Sequence, residues 1–200
     1  MPFIGNKPTA VPLSGDDIQD GTIGLADLSA TGTKDSTTFL RGDNTFAEAG
    51  GGKVLQVLQT VVTNRQSGST STFTDVSGLS VSITPSATSS KILVMTSLTA
   101  NSPNQYMFAR IMRDTTAICI ADASNSNTRA SFGNFFVEQH NWQTYSQTFL
   151  DSPATTSATT YKIQTFSDSG TWYINYGGST DTDASRGNGV STITVMEIGA

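Results

Sequence analysis

The 200-residue chain has few charged residues, a single cysteine and no long apolar run. Charged residues make up 14% of the sequence, well below the ~25% that is usual for soluble globular proteins. Serine and threonine take their place, which favours β-structure over a helical bundle. Cys119 has no second cysteine to pair with, and its apolar neighbours in TAICIAD predict a small buried side chain. No apolar run reaches the ~18 residues that a membrane-spanning helix needs.

The charge balance and the first residues exclude further classes. The net charge is −5 and the isoelectric point about 4.6, so the chain lacks the basic patch that nucleic acid attracts, and we expect no nucleic-acid partner. The start MPFIGNKPTAVPL lacks a charged region followed by an apolar one, and therefore predicts no signal peptide and synthesis in a reducing cytosol.

Few side chains are candidates for catalysis or metal binding. His140 in EQHNWQ has no nucleophile near it in the sequence, so we expect no enzymatic activity and no catalytic residue. One cysteine and one histidine cannot complete a zinc site without carboxylates. Asp181 and Asp183 in STDTDASRG could bind Ca²⁺, but alternating acids are common in solvated turns. We therefore expect no metal site and no cofactor.

The composition divides the chain into three parts. Residues 1–30 are punctuated by proline and glycine, and their apolar residues are too sparse for a core of their own, so they must bury these on a partner or stay disordered. Residues 31–52 hold the string DSTTFLRGDNTFAEAGGG, which ends in a flexible glycine joint. Residues 53–200 consist of short runs rich in Val, Ile, Thr, Phe and Tyr, separated by turn-forming residues.

The third part predicts an all-β domain. Strands at this spacing, without helical runs between them, are typical of a sandwich or barrel. The run LSVSIT alternates cleanly, with Leu79, Val81 and Ile83 on one face and hydroxyl side chains on the other.

Two strands are apolar on both faces. In KILVMTSL, Ile92 and Val94 face one way while Leu93 and Met95 face the other. The run ITVMEI repeats the pattern, with Met196 and Ile198 opposite Ile193 and Val195. A sandwich strand needs only one buried face, so the pattern predicts that a second subunit covers the other face.

Several segments resemble bacteriophage tail-fibre and related virion appendage proteins. ADLSATGTKDSTTFLRGDNTFAEAGGG resembles a string A-T-G-T…T-F-L-R-G-D-N-x-[WF] that recurs in them. MPFIGNKPTAVPL resembles the attachment peptide of short fibres from marine phages. TSTFTDVSGLSVSITPSATSSKILVMTSLTA and GVSTITVMEIGA resemble a trimeric jelly-roll domain similar in layout to the heads of C1q and tumour necrosis factor.

The resemblance implies a homotrimeric short tail fibre on the virion, assembled in the host cytoplasm. Residues 1–30 would be an extended segment that anchors the chain to a tail adaptor or nozzle protein, through Phe3, Ile4, Pro8, Val11, Pro12 and Leu13. The jelly-roll β-sandwich of residues 53–200 would present loops to a host-surface glycan or outer-membrane protein. The candidate receptor residues in these loops are Asn101, Asn104, Asn125, Asn127, Arg129, Asp181, Asp183 and Arg186.

The middle part, residues 31–52, would join three chains. Arg41-Gly42-Asp43 matches an integrin-binding tripeptide, but we interpret it as a tight turn in which Gly42 supplies permissive dihedrals. We expect Phe39, Leu40 and Phe46 to pack inward. We also expect Arg41 to pair with Asp43 of a neighbouring chain around a threefold axis.

Other functions stay open at this point. A structural adaptor or capsid-bound fibre would never touch the host, and a polysaccharide depolymerase would need an acidic cleft. A cytokine-like ligand is compatible with the β-domain alone. The aromatic stretch FFVEQHNWQTYSQTF could stack on sugar rings, but we expect its rings in the core or at a subunit interface.

Overall fold

All regular secondary structure in the described residues consists of β-strands, so the expectation of an all-β protein is confirmed. The computed structural model describes residues 24, 29–48, 53–103, 106–133, 141–178 and 187–199. The chain divides into two compact units, Met1–Gly51 and Gly52–Ala200. No helix capable of crossing a membrane is found in the described ranges.

The described residues form thirteen strands. Two belong to the first unit and eleven to the second, and their bounds are β1 Thr38–Leu40, β2 Phe46–Glu48, β3 Val54–Val62, β4 Gln66–Gly68, β5 Thr74–Ile83, β6 Lys91–Asn101, β7 Met107–Arg113, β8 Thr116–Ile118, β9 Phe132–Gly133, β10 Gln143–Asp151, β11 Thr159–Ser167, β12 Trp172–Ile174 and β13 Ser191–Ile198.

The second unit contains two sheets. The large sheet has the order β3-β13-β6-β12-β4, with β10 on the other edge of β6. The small sheet has the order β5-β11-β7-β8, with β9 also paired to β7. Every named pairing between these strands is antiparallel. The two sheets are not joined by a common strand in the described residues.

The two sheets pack face to face around one apolar core. Side chains from both sheets form a single buried cluster, whose largest fully buried members are Tyr161, Leu79, Ile83, Ile92, Leu98, Met107, Ile111, Ile163, Ile174 and Ile193. Burying an aliphatic side chain of this size contributes about 1.5–3 kcal/mol. The second unit is therefore a β-sandwich.

The alternation of β5 is confirmed. Leu79, Val81 and Ile83 are buried in the core, while Ser80 and Ser82 between them are exposed. Cys119 differs from its expectation because it is half-buried, packing against the core and accepting a hydrogen bond from Gln147 Nε2 at 3.4 Å.

The end of β6 corrects one expectation from the sequence. NSPNQ reads as a loop, yet the strand continues to Asn101, which pairs with Tyr173 of β12. The Asn101 side chain is fully buried and donates to the carbonyl oxygen of Gly177 at 3.1 Å. The prediction of Asn101 as a receptor-contacting residue is therefore wrong, because its amide serves the junction between β6 and the segment after β12.

Candidate association surfaces

The outer face of the large sheet carries an apolar row. Strand register places Val57, Met196, Leu93 and Leu150 side by side across β3, β13, β6 and β10. Residues paired in this way share one face of a sheet, and their Cβ atoms lie about 4.5–5.5 Å apart. Val57 is 50% exposed and Leu150 53% exposed, while the two residues between them are half-buried. The predicted second apolar faces of β6 and β13 are present and lack a covering layer among the described residues.

The edge strand β3 adds to this surface. Val54, Leu55, Val57, Leu58 and Val61 are all exposed, and β3 pairs only with β13 in the described part of the chain. A long apolar edge strand is a template for pairing with other chains, and proteins normally cover or charge such an edge. This edge of the sheet is therefore suited to contact with another chain.

On the outer face of the small sheet, polar side chains form hydrogen bonds and ion pairs with one another. Lys162 Nζ donates to Asp75 Oδ2 at 2.8 Å, and Gln164 Nε2 donates to Asp75 Oδ1 at 2.7 Å. The Arg110 guanidinium donates to Gln164 Oε1 and lies 4.0 Å from the centre of the Phe73 ring. Burial lowers the pKa of Arg110. This face also carries Phe108 and Phe166, which are half-buried and pack against each other, with Phe166 also against Phe73. Its polar and aromatic groups thus find partners within the chain.

Asp151 ties the large sheet to the small one. Its carboxylate lies on the inner face of β10 and accepts from Tyr161 Oη at 2.6 Å and from Arg113 Nη1 at 2.8 and 3.0 Å. Burial, followed by the hydrogen bond to Asp151, raises the pKa of the Tyr161 hydroxyl far above its usual range. The hydroxyl therefore stays protonated and acts as a donor.

Glu197 is a second buried acid on the inner face of the large sheet. Its carboxylate accepts from Ser86 N at 2.7 Å, Ser86 Oγ at 2.6 Å and Gln56 Nε2 at 2.6 Å. Burial by itself raises the pKa of Glu197, but the hydrogen bonds from Ser86 and Gln56 outweigh it and lower the pKa to about 2. The acid thereby fixes the loop between β5 and β6 to the edge strand β3.

The first unit contains a small hairpin built by the string TGTKDSTTFLRGDNTF. Strands β1 and β2 pair through Phe39↔Ala47 and Leu40↔Phe46. Asp35 Oδ1 accepts from the N–H and hydroxyl of Thr37 at 2.8 and 2.7 Å. The hydrogen bonds from Thr37 lower the pKa of Asp35.

Asp43 repeats the same turn at the tip of the hairpin. Its Oδ1 accepts from Thr45 N at 3.1 Å and Thr45 Oγ1 at 2.6 Å, and the hydroxyl bond lowers the pKa of Asp43. Asn44 N also donates to Arg41 O at 3.0 Å. The sequence signal for both turns is an acid followed two positions later by threonine, whose N–H and hydroxyl donate to the carboxylate of the acid.

Two details of the hairpin differ from expectation. Phe39 is 62% exposed and Leu40 48% exposed, so neither packs inward within the chain; a two-stranded hairpin has no second layer to cover them. Phe46 is half-buried. The left-handed residue of the turn is Asn44, at φ 61°, and not Gly42, around which the space for a side chain is open.

A different glycine in the string is required by the structure. Gly32 has a φ of 92°, and a Cβ added there would lie 2.1 Å from the carbonyl oxygen of Phe46. The backbone beside it is held by Phe46 N, which donates to Thr31 O at 2.7 Å. The glycine of the A-T-G-T segment is therefore where the chain passes directly against β2.

The other predicted site residues are placed as follows. Asn125, Asn127 and Arg129 are exposed in the segment after β8, where Arg129 Nε donates to Ala121 O at 2.6 Å. Arg41 and Asp43 are exposed at the hairpin tip. Outside the described residues lie Phe3, Ile4, Pro8, Val11, Pro12, Leu13, Asn104, His140, Asp181, Asp183 and Arg186.

In the described ranges, no three or more His, Cys, Asp or Glu residues cluster in a way that could hold a metal ion. No protein-family model and no curated protein matches the chain. Among solved structures, one entitled "Structure of infectious bursal disease virus Gx strain" matches with 14% identity and a TM-score of 0.36. The match covers 77% of this chain and 44% of that chain, and a similarity this low assigns neither a fold family nor a function.

Proposed function

We propose that this chain is a homotrimeric short tail fibre of a bacteriophage, with a jelly-roll sandwich that takes part in host recognition. The apolar row on the outer face of the large sheet carries the proposal. Four apolar side chains in register across four strands, next to an apolar edge strand, form a surface that water disfavours. Three copies that bring these faces together around an axis would remove it from water.

The topology supports the jelly-roll assignment. The longer strands cross between the sheets as the chain advances, with β3, β6, β10 and β13 in the large sheet and β5, β7 and β11 in the small one. Jelly rolls pack two antiparallel sheets joined by such long connections. The sequence resemblance to trimeric jelly-roll heads points to the same domain.

The hairpin supports a second point of association. Phe39 and Leu40 are exposed on a turn whose geometry is fixed by Asp35, Asp43 and Gly32. A rigid turn that presents two large apolar side chains loses little conformational entropy on association. Arg41 then carries a charge that can pair with Asp43 of a neighbouring chain. Attachment to a tail protein through residues 1–30 rests on the sequence resemblance.

A virion reconstruction tests the whole proposal. We expect three copies at the tail, with residues 1–30 against a tail protein and residues 53–200 projecting from the particle. Absence of the chain from the tail would contradict the tail-fibre role.

The trimer is tested separately on the purified chain by sedimentation equilibrium. We expect three times the chain mass of 21.1 kDa. A stable monomer would remove the physical basis of the proposal, because both the apolar row and β3 would then remain in water.

A further inference from the structure

A shallow groove lies on the outer face of the large sheet, away from the apolar row. Its volume is about 390 Å³, near the lower end of the roughly 300–1,000 Å³ typical of small-molecule sites. Ser97, Thr99 and Thr144 contribute its sheet side, and Trp142 with residues 188–190 completes the lining. Thr99 follows Leu93 by six positions on β6, about 20 Å along a strand. The groove and the apolar row are therefore different parts of one face.

Trp142 is the aromatic group of the groove. It is 37% exposed, whereas the other tryptophan, Trp172, is 6% exposed. Of the two places expected for this ring, the core and a subunit interface, the core is thereby ruled out. An indole offers a flat apolar face and one N–H donor, the combination that stacks on the C–H face of a sugar ring.

Gly189 allows the segment before β13 to lie directly against Thr99. A Cβ added there would lie 2.3 Å from Thr99 Cγ2, while one added at Gly187 would meet the Trp142 ring at an ordinary 3.7 Å. The Gly189 backbone is fixed by its N–H, which donates to Asn175 O at 2.9 Å. The side of the groove opposite the sheet is thus backbone without a side chain at this point.

The donor and acceptor roles of the Thr99 and Thr144 hydroxyl groups, on the sheet side of the groove, are fixed by their hydrogen bonds. Thr99 Oγ1 donates to Val190 O at 2.9 Å, which uses its only hydrogen. The 2.8 Å contact between Thr99 Oγ1 and Thr144 Oγ1 must then take its hydrogen from Thr144. Thr144 Oγ1 is left with lone pairs and no hydrogen, so it faces a ligand as an acceptor.

Asn188 has the complementary character. Arg65 Nε donates to Asn188 Oδ1 at 2.7 Å, which fixes the orientation of the amide. Its Nδ2 group has no partner among the described residues, and the same holds for Ser97 Oγ and Trp142 Nε1. The groove thus offers an acceptor, two donors and one adaptable hydroxyl around an aromatic face, and none of the residues that line it is charged.

We propose that this groove binds a neutral sugar ring, stacked on Trp142 and hydrogen-bonded by Thr144 and Asn188. Sugar hydroxyls donate and accept at once, which matches this set, whereas an anionic sugar would lack a cation in the lining. The assignment of the sugar to a host-surface glycan rests on the proposed function.

The first test uses the full chain with ¹⁵N-labelled tryptophan. Glucose, galactose, mannose and N-acetylglucosamine are titrated separately to about 0.1 M, because one ring gains only a few kcal/mol. We expect one of them to shift the indole N–H resonance of Trp142 saturably and to leave that of Trp172 unchanged. Trp142→Phe assigns the two resonances. No saturable shift of Trp142 with any of the four sugars would overturn the proposal.

A matched pair of variants locates the site. Thr144→Val removes the acceptor, and Thr148→Val makes the same change on the same strand and the same outer face, outside the groove. We expect sugar binding to weaken about three- to tenfold in Thr144→Val, the loss of one hydrogen bond, and to stay unchanged in Thr148→Val. Equal effects of the two variants would overturn the assignment to this groove.

Cell binding separates this proposal from the proposed function. A labelled full chain is incubated with a panel of bacterial strains, with and without the sugar that shifted Trp142. Binding that Trp142→Ala and Thr144→Val leave intact would refute the groove as the host site while the fibre role stands. If the chain binds the sugar but no cell, the groove remains a sugar-binding site and the proposed role in host recognition is contradicted. If an oligosaccharide binds more tightly than the single sugar, the ligand of the groove is a glycan. If both bind equally, the ligand is a free sugar.

Discussion

The outer faces of the two sheets differ in how far their apolar side chains are covered within the chain. On the small sheet, Lys162 and Arg110 find partners within the chain, and the outward phenylalanine rings pack against one another. On the large sheet, a row of four apolar residues faces outward, while the acids Asp151 and Glu197 are buried on the inner face. The usual arrangement of a sandwich is apolar inside and polar outside. Both sheets depart from it, but the outward rings of the small sheet are half-buried, whereas Val57 and Leu150 at the ends of the row are exposed.

The buried acids and the apolar row of the large sheet have different roles. The inward acids are hydrogen-bonded to the other sheet or to a crossing loop, so they specify how the sandwich is put together without needing a partner chain. The outward apolar row has no such role within the chain. Exposed apolar groups are unfavourable in water, so the row on the outer face of the large sheet is the surface that the proposed trimer would cover.

The largest expected effect follows from charging the apolar row. Val57→Lys with Leu150→Lys places two cations at the ends of the row, where both side chains are already exposed in the single chain. The fold should persist, because neither side chain is in the core, but association should be lost since each cation would be buried without a partner. Sedimentation equilibrium should show the mass of one chain.

The control adds the same charge to the other face. Ser80→Lys with Ser82→Lys changes two exposed positions of β5 on the outer face of the small sheet. Association should be unchanged. If both double variants dissociated, net charge and not the apolar row would be the cause, and the comparison of the two faces would fail.

The second prediction concerns the acid that joins the sheets. Asp151→Ala should lower the free energy of unfolding by about 2–4 kcal/mol, because it leaves the buried hydroxyl of Tyr161 without an acceptor and Arg113 without its counter-charge. Asp151→Asn keeps an acceptor oxygen and should cost less. Urea unfolding of the three proteins measures the difference; equal stability of Asp151→Ala and the unchanged chain would contradict the role of this acid.

A somewhat smaller effect is expected at Glu197, and it depends on pH. Glu197→Gln replaces one acceptor oxygen by an NH2 group that faces the donors of Ser86 or Gln56, which should cost about 1–3 kcal/mol near neutral pH. The pKa of Glu197 is lowered in the folded chain from 4.5 to about 2. Its stabilising contribution is therefore complete above pH 4.5 and is lost as the pH falls toward 2.

Thermal unfolding between pH 7 and pH 2 tests this dependence. The stability difference between the unchanged chain and Glu197→Gln should shrink as the pH falls through this window. A difference that stays constant down to pH 2 would show that the carboxylate charge is not what holds the loop between β5 and β6.

The sequence predicts which face of a strand is buried better than it predicts which side chains contact each other. Alternation identifies the inward face of β5, and the doubled apolar pattern of KILVMTSL and ITVMEI correctly indicates outward apolar groups on β6 and β13. The same alternation places Glu197 in phase with Ile193 and Val195, so its inward position could have been read from the sequence. A buried acid needs a partner, and the partner of Glu197 could not be predicted because Ser86 lies far from it in the sequence.

Turn-forming residues predict loops less reliably than alternation predicts the buried face of a strand. Asn101 in NSPNQ resembles a loop residue, but its amide is used inside the structure. In the hairpin, RGDN indicates a turn correctly, while the left-handed position falls on Asn44, since asparagine is one of the few residues besides glycine that adopts that conformation. The groove beside Trp142 joins residues of β6, β10 and the segment before β13, and such a long-range juxtaposition leaves no local pattern.

The smallest expected effect concerns the outer face of the small sheet. Lys162→Met removes the cation that pairs with Asp75 on the outer face of the small sheet. Both side chains are partly exposed, so the pair should contribute no more than about 1 kcal/mol, and less at high salt. Urea unfolding should show a small change, and sedimentation equilibrium should show no change in mass. A loss of association in Lys162→Met would mean that the small sheet also contacts a partner chain.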